Sequence, residues 1–263
     1  MGHRRAFTII ECLVVIGVVA ILASLVVPAL GKSRSRAMAV QALANIRSFG
    51  LGLESYASKN RDSVPVLYKP AWPAAGPFQL PYGTFGTGNW FEHARFFSLA
   101  VTTELDDIRI ARAPGNPTAP TVYSDAGRPV SLSDYGLSFT LYATPRFFHP
   151  STMSGVDQWA PQRLSSIVFP SDKGIMVQTL VYHFRELGVL SGCCNTNVPS
   201  PVLFADMSAS AEDIGAMPRG VRNPFVPSTG TTSRNPFGLP GMAIMETLHG
   251  IAGRDRDLKA RAP

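Results

Sequence analysis

The residues best placed to do chemistry in this chain stand at its start. Glu11 is the one charge in FTIIECLVVIGVVAILASLVV, residues 7 to 27, an apolar run of 21 residues. A carboxylate at the centre of a bilayer costs roughly 2.5 to 3.5 kcal/mol, so an acid at that depth calls for a partner. One way out is local: Glu11 lies four residues from Phe7, about 6 Å along a helix, and a side chain so near the end of a span can snorkel to the headgroups. The other needs a cation. A cut after Ala6 would create an α-amino group on Phe7, a positive charge at the depth of a neighbouring copy's Glu11. The chemistry implied is charge pairing between chains.

The element that must position these groups is a membrane-length helix. At about 1.5 Å per residue the run spans roughly 31 Å, close to the roughly 30 Å hydrocarbon core of a bilayer. A cleaved secretory signal has a shorter apolar core, about 7 to 15 residues, and a small-x-small site; here only Ala23-Ser24 offers a weak one, so the run reads as a retained span. Pro28 lacks an amide donor and is expected to kink or weaken the helix over residues 24 to 28. Apolar residues then resume at spacings of three and four, at Ala39, Ala42, Leu43, Ile46, Phe49, Gly50, Leu53, Tyr56 and Ala57. This predicts an amphipathic continuation over 29–60, stopped at Asn60-Arg61-Asp62. Gly50 and Gly52 each weaken a helix by roughly 1 kcal/mol, so fraying is expected there. Arg4 and Arg5 before the span nearly balance Lys32, Arg34 and Arg36 after it, so charge placement alone does not orient it.

In these features the chain resembles the type IV pilin-like proteins, including the pseudopilins of type II secretion systems. The resemblance rests on the short basic leader MGHRRA, a small residue at the cut, Phe7-Thr8-Ile9-Ile10-Glu11 opening an apolar helix, and Pro28 at its end. It covers about the first 30 residues. It implies a prepilin peptidase that cuts between Ala6 and Phe7 on the cytoplasmic face and methylates the Phe7 amine. It also implies that Glu11 neutralises a neighbouring subunit's Phe7 amine during assembly. One residue departs from the pattern: the family has Gly before the cut, where this chain has Ala6.

The remaining chain, about 200 residues, is long enough for one globular domain. Strand-like runs stand at residues 137–143, 166–169, 174–182 and 202–205, which suggest an antiparallel sheet. Residues 92–105 could supply one short helix. Residues 69–90 and 113–129 are rich in Pro and Gly and read as surface loops. The expected fold is therefore α+β: a long N-terminal helix packed on an antiparallel β-sheet head with long loops. The expected division is a leader over 1–6, a transmembrane assembly helix over 7–28, its amphipathic continuation over 29–60, a β-rich head over 61–214, and an irregular loop and tail over 215–263. Arg222-Asn223-Pro224-Phe225 returns as Arg234-Asn235-Pro236-Phe237, too few copies for a repeat fold. Arg254, Asp255, Arg256 and Asp257 read most simply as a solvated tail. Two head segments, Asp134-Tyr135-Gly136-Leu137 and Val202-Leu203-Phe204-Ala205-Asp206, resemble those of large-headed prepilin-like proteins of planctomycete-type bacteria. That subgroup follows the Asp with Gly and places a His about ten residues upstream; here Met207 follows, and Cys193, Cys194 and Asn195 fill the upstream stretch. On its own chemistry Asp206 reads as a strand-end turn residue.

No catalytic motif accompanies these segments: HExxH, GxSxG, GxxxxGK[ST] and CxxC are all missing from the sequence, and no enzyme activity, cofactor or metal site is expected. His3, His93, His149, His183 and His249 are scattered without ligand spacing. Glu104, Asp106 and Asp107 could offer oxygens to calcium, but three acids in four residues are commonly a solvated turn. Cys12 lies in the apolar span, and adjacent Cys193 and Cys194 sit awkwardly for bridging one another. The net charge of +6 falls to +4 without Arg4 and Arg5, too modest to argue for nucleic acid.

The expectation is a single-pass prepilin-like subunit, of pseudopilin type, whose partners are a prepilin peptidase, other pilin-type subunits, an assembly platform and the membrane. The resemblance places its N-terminus in the cytoplasm and its head outside. The alternative is an uncut signal-anchored protein whose head binds a ligand at the cell surface, a reading that Ala6 favours.

Overall fold

The computed structural model describes residues 8–67, 69–70, 78–80, 83–85, 90–105, 108–116, 121–123, 129–131, 133–182, 190–191, 198–221, 223–225 and 243–256. Its first element is α1, Ile9–Lys59, 51 residues long, which at the standard rise is about 77 Å. Thr8 caps its start, Asn60 its end, and α1 is one helix through Pro28, whose nitrogen supplies no hydrogen bond to the Ser24 carbonyl. Arg61 and Asp62 then take left-handed backbone angles, φ 55° and 63°, that turn the chain away.

After α1 come a small hairpin, β1 (Phe78–Leu80) and β2 (Gly83–Phe85), the helix α2 (His93–Leu105), and a second hairpin, β3 (Thr121–Tyr123) and β4 (Pro129–Ser131). Both hairpins fall in the Pro- and Gly-rich stretches expected to be loops. The main sheet is built from β5 (Tyr135–Leu137), β6 (Gly174–Gln178), β9 (Ser200–Phe204) and β10 (Ala209–Glu212), with a minor pair β7 (Leu180–Val181) and β8 (Leu190–Ser191) beside it. Its order is β10-β9-β6-β5 and every pairing is antiparallel. The chain is therefore α+β, a long helix on an antiparallel sheet.

Two expected strands become something else. Residues 139–141 form a 3-10 turn, because the Ser138 hydroxyl caps it through the Thr140 amide and also bonds the Ile244 carbonyl across the core. Leu164–Ser166 is another 3-10 turn, and no strand follows at 166–169. Conversely β10 has no apolar run to announce it: ASAE pairs with β9 through its backbone, Ala209 opposite Leu203 and Glu212 opposite Ser200.

The core lies where the C-terminal half of α1 crosses the sheet and α2. Ala42, Ile46, Phe49, Leu53 and Ala57 are buried. Phe49 stands with its ring 5.5 Å from both Phe97 of α2 and Tyr135 of β5. Gly50 and Gly52 make that approach possible. A Cβ built at Gly52 would lie 2.6 Å from a Val101 methyl, and one at Gly50 2.8 Å from Leu203. The expected fraying does not occur; the missing side chains are where α1 comes closest to its neighbours, and the packing offsets the lost helix propensity. An aromatic cluster, with Phe91 against Phe139, Phe147 and Trp159, continues the core on the far side of α2.

Candidate assembly segment and the head that carries it

The N-terminal part of α1 has no fold of its own to pack on. Every residue from Ile9 to Arg34 is exposed, including Leu13, Ile16, Leu22 and Leu25. Together with α1's length and hydropathy, this makes its start a candidate membrane span. The apolar character is unbroken around the circumference, which fits a lipid-facing helix and does not fit a stripe facing one core.

Glu11 opens this segment. Its Oε2 accepts hydrogen bonds from the Thr8 amide at 2.8 Å and the Thr8 hydroxyl at 2.9 Å, and the Glu11 amide donates to Thr8 Oγ1 at 3.3 Å. This reciprocal capping box satisfies donors that a helix start leaves free. Among the described residues the carboxylate is thus held at the helix end by Thr8, and it remains exposed. Ala6 and Phe7, the two residues of the expected cut, lie outside the described residues. Pro28 sits inside the exposed half. One turn before it, the Ser24 hydroxyl donates to the Ile21 carbonyl at 2.7 Å. Cys12 is an exposed free thiol on the same segment.

The head holds α1 from the other end and is braced by charges that the sequence reading did not single out. Lys173, just before β6, is fully buried, and so is Asp255. Their Nζ–Oδ2 distance is 2.7 Å. Lys173 also donates to Thr247 Oγ1 at 2.7 Å, to the Gly174 carbonyl at 2.9 Å and to the Ile244 carbonyl at 3.2 Å. Asp255 accepts the Gly174 amide on Oδ2 at 2.9 Å, the Ile244 amide on Oδ1 at 3.1 Å, and the Thr247 hydroxyl on Oδ1. Burial pushes the Lys173 ammonium below the usual lysine range, and the Asp255 charge opposes that shift. The residues around Asp255 are therefore no solvated tail. Residues 243–256 belong to the head: Ile244, Met245 and Ile251 are core residues. Arg256 lies over the Phe204 ring at 3.5 Å and pairs with Glu212 at 2.9 Å, while Arg254 lies over Phe169. Asp255 turns inward while Arg254 and Arg256 on either side of it lie over rings. Asp257 lies outside the described residues.

The two motif-like segments have structural roles. Asp134 accepts the Ala113 amide and Asn116 Nδ2, both at 2.7 Å, and so ties loop 111–116 to the edge strand β5; burial raises its pKa while these bonds oppose the rise. Asp206 accepts from the Ser208 amide and hydroxyl in the β9–β10 turn, where Met207 has φ 63°. That is the turn role expected of it. His93 is buried and donates through Nδ1 to the Trp90 carbonyl; burial lowers its pKa to about 4 and keeps it neutral, while that hydrogen bond opposes the shift. Among the described residues no group of three or more His, Cys, Asp or Glu is placed to hold a metal ion. Asp106 and Asp107, the side chain of Glu104, Cys193, Cys194, His3, His183 and the second Arg-Asn-Pro-Phe segment lie outside the described residues. The first copy is only partly described: Asn223 Oδ1 accepts the Phe225 amide, and the Phe225 ring packs on Phe147 and Trp159.

Comparison of the chain with protein-family models, with curated proteins and with solved structures returned no match.

Proposed function

We propose that this protein is a prepilin-like subunit whose N-terminal helix serves first as a membrane anchor and then as the packing surface of a filament, of the type II secretion pseudopilus or type IV pilus kind. The observation that carries the reading is the division of α1. Its first half is apolar on all sides and unpartnered, and its second half is fixed in a head. A filament resolves the mismatch by letting the exposed halves of many copies pack on one another after they leave the lipid. In this reading prepilin peptidase cuts between Ala6 and Phe7 and methylates the new amine. A neighbour's amine then approaches Glu11 and competes with Thr8 for the carboxylate. The pairing gives the carboxylate a counter-charge in the apolar surround, where an unpaired charge is most costly. The head, facing the periplasm or exterior, selects partners.

The test is co-expression with a prepilin peptidase followed by N-terminal sequencing and intact mass. The expected product begins at N-methylated Phe7. A chain that keeps Arg4, Arg5 and Ala6 would instead leave the protein as a fixed signal anchor with a ligand-binding head, the reading that Ala6 in place of Gly favours.

A further inference from the structure

The Lys173–Asp255 pair sets an amine-bearing side chain directly against a carboxyl group inside the head. An amine and a carboxyl group 2.7 Å apart, both wholly buried, meet the requirement of proximity without bulk water to dilute or hydrolyse the product. Two backbone amides, Gly174 and Ile244, point at opposite oxygens of the Asp255 carboxyl. A hydroxyl, Thr247 Oγ1, touches both partners, accepting from Lys173 Nζ and donating to Asp255 Oδ1. That is an amine, an acyl carbon and two donors converging on one carboxyl oxygen, the Ile244 amide and the Thr247 hydroxyl on Oδ1, in one dry site.

We propose that Lys173 and Asp255 condense in the folded head to form an amide between Nζ and the Asp255 side-chain carbonyl carbon. The ammonium first passes a proton to Oδ2 along the hydrogen bond that already joins them, giving a neutral amine and a neutral acid; an apolar surrounding favours this exchange over two separated charges. The amine lone pair attacks the carboxyl carbon, and the Ile244 amide and the Thr247 hydroxyl, both donating to Oδ1, hold the negative oxygen of the tetrahedral adduct. The nitrogen then passes a second proton to the departing hydroxyl, Oδ2, which the Gly174 amide faces. The C–O bond breaks and one water leaves. One ammonium and one carboxylate thus become one amide and one water, with no oxidant, reductant or activating group required. The link would close an 82-residue separation in sequence and tether the C-terminal segment to the start of β6. Its stabilising action is on the unfolded chain, which loses the freedom of that loop. The inference concerns the head alone and stands apart from N-terminal processing.

The experiment is peptide-level mass spectrometry on the full-length protein purified in detergent, denatured and digested. The expected result is a branched peptide joining the segments that contain Lys173 and Asp255, lighter than their sum by one water, in most of the protein. Free, unmodified peptides at both positions in folded wild-type protein would overturn the proposal. Lys173→Arg keeps a cation but offers no comparable nucleophile, and should remove the branched peptide completely; the same loss of water in this variant would place the modification elsewhere and equally overturn it. Thr247→Val should lower the linked fraction several-fold at early times after synthesis. An unchanged time course would remove Thr247 from the proposed mechanism.

Discussion

The two halves of α1 share one continuous helix and differ in everything that surrounds it. From Ile9 to Arg34 no side chain is covered; from Ala42 to Ala57 one face is sealed against β9, β10 and α2. Their glycines make the contrast concrete. A methyl group at Gly17 or Gly31 would meet nothing within 4 Å, whereas at Gly50 or Gly52 it would collide with Leu203 or Val101. The same residue type is therefore a spare position in one half and a steric requirement in the other. A helix with this profile is completed in one half by the chain's own head. In the other half no described residue of the chain covers it, as fits a candidate membrane span.

The comparison breaks most visibly if the head is loosened. Lys173→Ala leaves Asp255 buried without its partner and removes the proposed link, and it should cost at least about 3–5 kcal/mol of head stability, read as a fall in the denaturant or thermal midpoint. The apolar half should still insert in membranes, because nothing in it touches Lys173. Acid should weaken the head through His93. Its folded pKa, about 4, lies below the ordinary 6.5, so the unfolded chain takes up a proton that the folded one refuses. Stability from this group is full above about pH 6.5 and is lost as pH falls toward 4, by about 3 kcal/mol in all. Unfolding at pH 7 and pH 4.5 should show the loss, and His93→Gln should flatten it. Gly52→Ala should cost about 1–3 kcal/mol by overpacking against Val101 and Leu105. Gly31→Ala sharpens the contrast from the other side: the head's midpoint should stay put, and the helix should gain up to about 1 kcal/mol. If both glycine variants destabilise the head equally, the division of α1 described here is wrong.

Much of this was legible in the sequence because the signals were periodic. The apolar run, the three-and-four spacing from Ala39 to Ala57 and the helix at His93–Leu105 all depend on local pattern, and the β6 and β9 strands on apolar runs. What was not legible depends on long-range contact. The ASAE strand exists because β9 offers it a partner, the Leu137–Ala143 run bends because Ser138 reaches Ile244, and the Arg-Asp alternation near the end reads as solvated until Lys173 is placed beneath it. Gly50 and Gly52 carried a local cost in the sequence and a tertiary reason in the structure. The exposed start of α1 was the opposite case: its residues were conspicuous as sequence, and among the described residues nothing packs on them.

The most direct measurement of the account's central claim is to compare wild type, Glu11→Leu and Thr8→Ala for membrane insertion and for recovery in filaments, in cells that supply a prepilin peptidase and an assembly platform. Both variants remove the capping box; only one removes the charge. The account predicts that all three insert, that Thr8→Ala assembles, and that Glu11→Leu stays in the membrane fraction and out of filaments. Assembly of Glu11→Leu at the wild-type level would contradict it, and would leave the exposed half of α1 as an anchor and nothing more.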